Sequence, residues 1–156
     1  MSVEPIPEGQ HSVAPYLAVD SAADAIEFYK KAFGANERVR IEAPGGGIAH
    51  ASVEIGDSVV MLSDPFPQAS TKPPKDLGGT SASVMLYVED VDAVVKQAVD
   101  AGATVLMEVA DRFWGDRFGT IQDPFGHTWG IATHVEDLSA EEIAERGKAA
   151  MAELGG

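Results

Sequence analysis

The chain contains no cysteine among its 156 residues. It therefore has no disulfide bonds, no thiol nucleophile and no thiolate ligand for a metal ion. Basic residues are also scarce, with 11 Lys and Arg against 25 Asp and Glu, which gives a net charge of -14. Such a negative potential repels phosphate backbones and anionic lipid and argues against a nucleic-acid partner. A solvated, salt-tolerant surface explains this acidity, and attraction of cationic small molecules is the alternative explanation.

Long apolar runs are missing as well. No stretch approaches the eighteen or more residues that a membrane span needs, and the apolar fraction of 45% is that of an ordinary globule. Residues 1–10 carry neither a basic region nor an apolar stretch, so no signal peptide is predicted. Together with the absence of cysteine, these observations lead us to expect a cytoplasmic protein without a membrane partner.

What the chain does contain is an internal repeat with a period of 69 residues. The strand-like segment 15–20, followed by a helical run that ends at Gly34, is echoed by segment 84–89, followed by a run that ends at Gly102. A repeat of this size predicts two similar modules that share one core or one cavity. Because two half-domains of this length would bury too little surface separately, we expect one composite domain.

Residue alternation, helix caps and glycine turns predict a strand, a helix and three further strands in each module, 11–63 and 83–134. Asp20 or Ser21 can cap the first helix, and Gly34 supplies its left-handed end. The predicted strands are 13–19, 37–42, 48–55, 58–63, 83–88, 104–109, 117–122 and 127–133.

An arm and a tail lie outside the modules. Residues 64–82 contain four prolines and little periodicity, which predicts a connecting arm rather than a packed element. In the tail, 135–156, Ser139 followed three residues later by Glu142 forms a capping box and predicts a helix to about Glu153. This helix is expected to cover a sheet edge or to pack in a dimer.

Two βαβββ units in tandem, with Phe33-Gly34-Ala35 closing the first helix and the sequence 123–127 (Asp-Pro-Phe-Gly-His) in the last hairpin, resemble the vicinal oxygen chelate superfamily. This group includes glyoxalase I, fosfomycin-resistance enzymes, extradiol dioxygenases and bleomycin-resistance proteins. The resemblance covers residues 11–134 and is greatest to the PhnB-like, glyoxalase-like branch. It implies an α+β fold in which each module curls its sheet into half a cup. Two halves, from one chain or from two chains of a homodimer, would enclose the site.

Active members of this superfamily place one metal ligand on the first strand and one on the last strand of each module. Matching the motifs puts these four positions at Ala14, Met61, Ser83 and Gly130. None of these residues holds zinc, nickel or iron in the usual way. No cofactor is therefore predicted, and a divalent metal at a non-standard site stays open.

Strand alternation extends the predicted cup, because side chains two residues apart share a face. The Gly56-Asp57 hairpin sets Ser52 opposite Met61 and His50 opposite Ser63. His50 therefore points into the predicted cup.

The same counting through the turn 123–126 sets Gly119 opposite Gly130 and Arg117 opposite Ala132. Arg117 is therefore predicted to occupy, in the second module, the position that His50 has in the first. A bulge would reverse this assignment. The predicted ligand-binding residues are Tyr16, His50, Ser52, Met61, Ser63, Ser83, Met85, Tyr87, Trp114 and Arg117.

Two functions are consistent with this lining. Its aromatic, thioether and hydroxyl groups suit an amphipathic organic ligand, which predicts a metal-independent protein that binds or sequesters a small molecule such as a cationic or aromatic drug. The alternative is a glyoxalase-like lyase or isomerase, with His50 as base and Arg117 as electrostatic clamp. Each residue also has a structural explanation: core packing for Met61, Met85 and Tyr87, a backbone hydrogen bond for His50, and an ion pair for Arg117.

Overall fold

A computed structural model describes residues 2–155 and places two four-stranded sheets and four helices within them. Met1, which begins the segment predicted to lack a signal peptide, and Gly156, which ends the predicted tail, lie outside the described residues. Within 2–155, no helix is long and apolar enough to cross a membrane. In chain order the elements are β1 Tyr16–Ala18, α1 Ala22–Phe33, β2 Asn36–Glu42, β3 Ile48–Ile55, β4 Ser58–Ser63, α2 Pro74–Leu77, β5 Ser83–Tyr87, α3 Val91–Ala101, β6 Thr104–Asp111, β7 Asp116–Gln122, β8 Thr128–His134 and α4 Ala140–Leu154.

Both sheets have the same strand order, β1-β4-β3-β2 in the first and β5-β8-β7-β6 in the second. In each, the first strand of the module runs parallel to the last and lies at the sheet edge, while the other pairs are antiparallel. The tandem βαβββ fold predicted from the repeat is therefore confirmed.

The repeat extends to the polar contacts that hold each helix to its sheet. Asp64 Oδ1 accepts a hydrogen bond from the first amide of α1, that of Ala22, at 2.8 Å. The hydroxyl of Thr133, 69 residues further on, accepts one from the first amide of α3, that of Val91, at 2.9 Å. A side-chain acceptor at a helix start satisfies an amide that has no partner within the helix. An aspartate in the first module and a threonine in the second thus accept the same hydrogen bond, that of the first helix amide, at equivalent positions.

The helix ends follow the predicted signals. Ser21 is the N-cap of α1, and Gly34 ends it with φ of 68°. Ser139 and Glu142 form the predicted capping box, and α4 runs to Leu154. Left-handed backbone at the end of a helix costs little for glycine, which explains Gly34.

A buried carboxylate joins the two modules. Asp123 Oδ2 accepts hydrogen bonds from the Tyr29 hydroxyl of α1 at 2.7 Å and from the Trp129 indole of β8 at 3.0 Å. The rings of Phe33 and Trp129 are in contact nearby, with centroids 4.7 Å apart. Burial and the adjacent Asp123 raise the pKa of Tyr29 well above its usual value. The Asp-Pro-Phe-Gly turn therefore anchors the first helix of one module to the last hairpin of the other.

Two element predictions need correction. The first strand begins at Tyr16 rather than at residue 13, and Val13 is exposed. Pro15 has no amide to donate, so it contributes only its carbonyl, which accepts from the Met61 amide at 3.0 Å. The connecting arm is not free of packed structure: it contains α2, whose buried Pro74 lies against Gly126.

The predicted register of β7 and β8 is wrong by one residue. Gly130 lies opposite Thr120, and Ala132 lies opposite Phe118 rather than Arg117. The turn is a three-residue loop, since Asp123 pairs with His127 through the Asp123 amide, and Gly126 has φ of 91°. A left-handed glycine after a type I turn adds one residue to the loop and shifts every pairing beyond it.

Candidate functional site

Each sheet has one face packed against the helices and one face turned away from them, here called the open face. On the first sheet, hydrogen-bond register aligns Tyr16, Met61, Ser52 and Val39 in one row across the open face. The predicted pairing of Ser52 with Met61 is confirmed. The paired ladder ends at Ala51 and Leu62, one residue before the predicted pair of His50 and Ser63. Tyr16 is 47% exposed although it is a large aromatic side chain.

Tyr16 and His50 form a direct pair on this face. The Tyr16 hydroxyl lies 2.9 Å from His50 Nδ1, and the two ring centroids are 5.6 Å apart. His50 is half-buried, while Ser52 and Ser63 are buried. A phenol that is hydrogen-bonded to an imidazole, beside hydroxyl groups, can hold a polar group of a ligand or exchange a proton with it.

The four positions matched to metal ligands do not form a metal site. Alanine, thioether, hydroxyl and glycine at Ala14, Met61, Ser83 and Gly130 give no set of nitrogen or carboxylate donors. At Gly130, an added Cβ would stand 2.7 Å from Met85 Sδ and 2.9 Å from the Phe118 ring. These two side chains therefore occupy the space that a ligand side chain at Gly130 would need. Within residues 2–155, no group of three or more His, Asp or Glu is arranged to hold a metal ion.

The open face of the second sheet is aromatic and sulfur-rich. One row contains Met85, Gly130, Thr120 and Met107, and the next contains Tyr87, Ala132 and Phe118. Met85, Tyr87 and Met107 are all exposed. The Trp114 ring packs edge-on against Phe118, with centroids 5.4 Å apart. Phe118, not Arg117, is the counterpart of His50 in this module.

A buried carboxylate lies at the end of this face. Asp116, only 3% exposed, accepts hydrogen bonds at Oδ2 from the Tyr87 hydroxyl at 2.8 Å and from the Trp114 indole at 3.1 Å. Its Oδ1 is 2.8 Å from His134 Nδ1, and His134 Nε2 is 2.8 Å from Asp137. One carboxylate therefore fixes two rings at the edge of the open face.

The ionisation of this group follows from its contacts. Burial alone would raise the pKa of Asp116, but hydrogen bonds from His134, Tyr87 and Trp114 together hold that pKa below its usual value. The hydrogen bond to Asp116 raises the pKa of Tyr87. Hydrogen bonds to Asp116 and then Asp137 raise the pKa of His134. Asp116 is thus a carboxylate and Tyr87 a neutral phenol at neutral pH.

Arg117 lies on the other face of its strand. Its guanidinium forms an ion pair with Asp92 of α3, with Nε 2.7 Å from Oδ2, and a second with Asp111 at 3.2 Å. The hydrogen bonds from Arg117 lower the pKa of Asp92. The assignment of Arg117 to the cup was wrong because the bulged turn reverses the side on which it emerges.

A cavity of about 780 Å³, here called the seam cavity, lies where the free edges of β1 and β5 approach each other beneath the connecting arm. Tyr16, Ser83 and Met85 line it from the two strands, and Lys72 lines it from the arm. His127 closes one side, with Nε2 donating to the Ala18 carbonyl at 2.8 Å. Its size is that of a typical small-molecule site.

The structure brings most of the predicted site residues into two groups. Tyr16, His50, Ser52, Met61 and Ser63 share the first open face, and Ser83, Met85, Tyr87 and Trp114 follow the second. Sequence reasoning missed Phe118, Asp116, His134 and Lys72. The Asp-Pro-x-Gly turn signal could have indicated the bulge that places Phe118 and Asp116 on the open face.

Comparison with known proteins agrees with this geometry. A family model described as Glyoxalase/Bleomycin resistance protein/Dioxygenase superfamily matches residues 9–131. An uncharacterised protein of Mycobacterium tuberculosis (strain ATCC 25618 / H37Rv) is 44% identical over 135 residues, which cover 85% of this chain and 79% of that protein. The structure of TioX from Micromonospora sp. ML1 is 26% identical and superposes with a TM-score of 0.63 over 80% of this chain and 99% of that chain. TnmS3, an antibiotic binding protein from Streptomyces sp. CB03234, is similar in fold at 23% identity and a TM-score of 0.62, over 80% and 96% of the two chains.

Proposed function

Because the chain belongs to the glyoxalase/bleomycin resistance protein/dioxygenase superfamily, we propose that it is a metal-independent member that binds or sequesters an aromatic, cationic small molecule. One observation carries this proposal. Met85 and Phe118 fill the space in front of Gly130, so the position that would supply a metal ligand supplies an apolar surface instead. A thioether beside aromatic rings is a favourable surface for a planar apolar guest.

The preference for a cationic guest rests on charge. Tyr87 and Trp114 both donate hydrogen bonds to Oδ2 of the buried Asp116. A carboxylate therefore lies beside two aromatic rings at the end of this face. Aromatic faces attract cations, and the net charge of -14 raises their local concentration. The fold shared with TnmS3, described as an antibiotic binding protein, agrees with a guest of drug size.

We further propose that the protein is a homodimer in which a second copy completes the site. Val39 and Ile41 on the first open face, and Met85 and Met107 on the second, are 44–53% exposed in a single chain. Contiguous apolar surface of this kind is usually covered by a partner or a ligand. Pairing the first open face of one protomer with the second of the other would cover both.

The proposed function is tested by titrating the protein with proflavine, a planar aromatic cation, and measuring the heat of binding by calorimetry. We expect Phe118→Ala to weaken proflavine binding about tenfold, because the guest loses one stacking ring. The matched control is Phe66→Ala, which removes an exposed phenylalanine of the connecting arm, outside both open faces, and is expected to leave the affinity unchanged. Equal affinities of the two variants would contradict the proposal.

The pair formed by Tyr16 and His50 favours a second candidate, a glyoxalase-like lyase or isomerase with His50 as general base. The 2.9 Å contact to the Tyr16 hydroxyl holds the imidazole on the open face. If a carbonyl or thioester compound is turned over, we expect His50→Gln to lower the rate by a factor of about 10² to 10⁴. Tyr16→Phe is the milder control, since it removes only the hydroxyl. Unchanged turnover in His50→Gln would remove His50 from the mechanism.

A further inference from the structure

The lining of the seam cavity differs in charge from the rest of the molecule. The chain carries 25 acidic residues, yet among the described residues no Asp or Glu lines this cavity. Lys72 is the cationic side chain in its wall, and within residues 2–155 no carboxylate lies within ion-pair distance of it. Lys75, three residues further on, is already paired with Asp20 at 3.0 Å. A free ammonium group in an acid-free cavity is unusual in a protein of this charge and favours a negatively charged ligand.

Backbone amides add further donors. Along β1, Pro15 and Val19 make the hydrogen bonds to β4, so the peptide groups of Ala18 point to the free edge, where the Ala18 carbonyl accepts from His127. Along β5, Val88 bonds to Ala132 of β8, so by the same alternation Met85 points to its free edge. By this alternation the amides of Ala18 and Met85 point away from β4 and β8, toward the free edges of β1 and β5. Backbone amides that face a free strand edge next to a cation form a suitable place for an anion.

Hydroxyl groups complete the polar side of the cavity. Thr71 comes from the arm, and Ser83 and Thr128 come from the two strands at its opposite wall. Each hydroxyl can donate a hydrogen bond to an oxygen anion, and none carries a negative charge of its own.

The remaining wall is apolar. Leu77, Val84 and Met85 line the cavity, and Leu77 is 63% exposed, which is high for a leucine. A ligand that covered these side chains would remove apolar surface from water. The cavity therefore offers donors and a cation at one side and an apolar wall at the other.

We propose that the seam cavity binds an amphipathic carboxylate, with the carboxylate at Lys72 and the apolar tail against Leu77 and Met85. This site is separate from the aromatic surface around Phe118 and selects the opposite charge. Met85 borders both surfaces, so the two ligands could be bound side by side.

The charge preference is tested by calorimetry with three probes that share an eight-carbon chain and differ in the charge of the head group: octanoate, octan-1-ol and octylammonium. The wild-type protein is expected to bind octanoate at least about tenfold more tightly than octan-1-ol, and octylammonium more weakly than either. Tighter binding of octylammonium than of octanoate in both the wild type and the Phe118→Ala variant, whose aromatic surface is weakened, would overturn the proposal.

Two lysine variants of equal net charge locate the contact. Lys72→Glu is expected to weaken octanoate binding at least about tenfold, whereas Lys148→Glu, on the exposed face of α4, should leave it unchanged. Lys72→Met keeps an apolar stem and should make octanoate and octan-1-ol bind equally. Equal octanoate affinity in the two Glu variants would overturn the proposal.

The Phe118→Ala variant separates this site from the open face. We expect it to bind octanoate as the wild type does, even though it weakens proflavine binding. If Phe118→Ala abolished octanoate binding, the carboxylate would be bound on the open face, and the seam site would be disproved.

Discussion

Asp116 and its partners show how single residues prepare the second open face. Both oxygens of this buried carboxylate are engaged, by Tyr87 and Trp114 on one side and by His134 on the other. A buried carboxylate without such partners would be strongly unfavourable, so the three donors and the charge depend on each other. The two rings are consequently held in place before any ligand arrives, which reduces the entropy lost on binding.

The bridge made by His134 predicts a pH dependence of stability. Its pKa is raised in the folded protein by Asp116 and Asp137, so its contribution is fully present below the ordinary histidine pKa of about 6.5 and is lost as the pH rises through the folded value. The lowered pKa of Asp116 contributes at every pH above its usual acidic range and therefore stays constant in this window. The melting temperature of the wild type relative to His134→Gln is expected to fall between pH 6 and pH 8.5, measured at low ionic strength. A constant or growing advantage across this range would contradict the charged bridge.

At the scale of elements, the turn between β7 and β8 decides which residues reach the open face. Its left-handed Gly126 lies against the arm, where an added Cβ would stand 2.8 Å from Pro74 Cβ. The equivalent turn of the first module, between β3 and β4, has a left-handed glycine at Gly56 with φ of 60° and no atom within 4 Å of such a Cβ. The two glycines share a backbone requirement and differ in packing.

This difference gives a matched pair of variants. Gly56→Ala should cost about 1 kcal/mol of unfolding free energy, because alanine tolerates a positive φ poorly. Gly126→Ala should cost about 2–3 kcal/mol, because it adds a clash with Pro74 to the same strain. Urea denaturation of both variants measures the difference. Equal costs would show that the arm moves away from the turn without penalty.

The sequence predicted most elements because their signals are local. Gly34 and the Ser139 capping box mark helix ends within a few residues, and both were placed correctly. The side on which Arg117 emerges depends on one extra residue in a turn, which strand alternation alone does not detect. The Asp116 cluster joins β5, the 112–115 turn and the end of β8, so only the fold brings its members together.

At the scale of the whole molecule, the two proposed sites would select ligands of opposite charge. The second open face places aromatic rings and a carboxylate together, whereas the seam cavity places Lys72 among hydroxyls and the amides of two strand edges. The seam cavity depends on the duplication, because it forms where the first strands of the two modules meet. In this duplicated scaffold the four positions matched to metal ligands hold Ala14, Met61, Ser83 and Gly130.

Metal independence of ligand binding is tested most directly by a proflavine titration of protein that has been stripped of metal with a chelator and shown to be metal-free by elemental analysis. We expect the same dissociation constant before stripping, after stripping, and after addition of stoichiometric nickel or zinc, because Met85 and Phe118 occupy the space that a metal ligand at Gly130 would need. Binding that disappeared on stripping and returned with one equivalent of metal would contradict it.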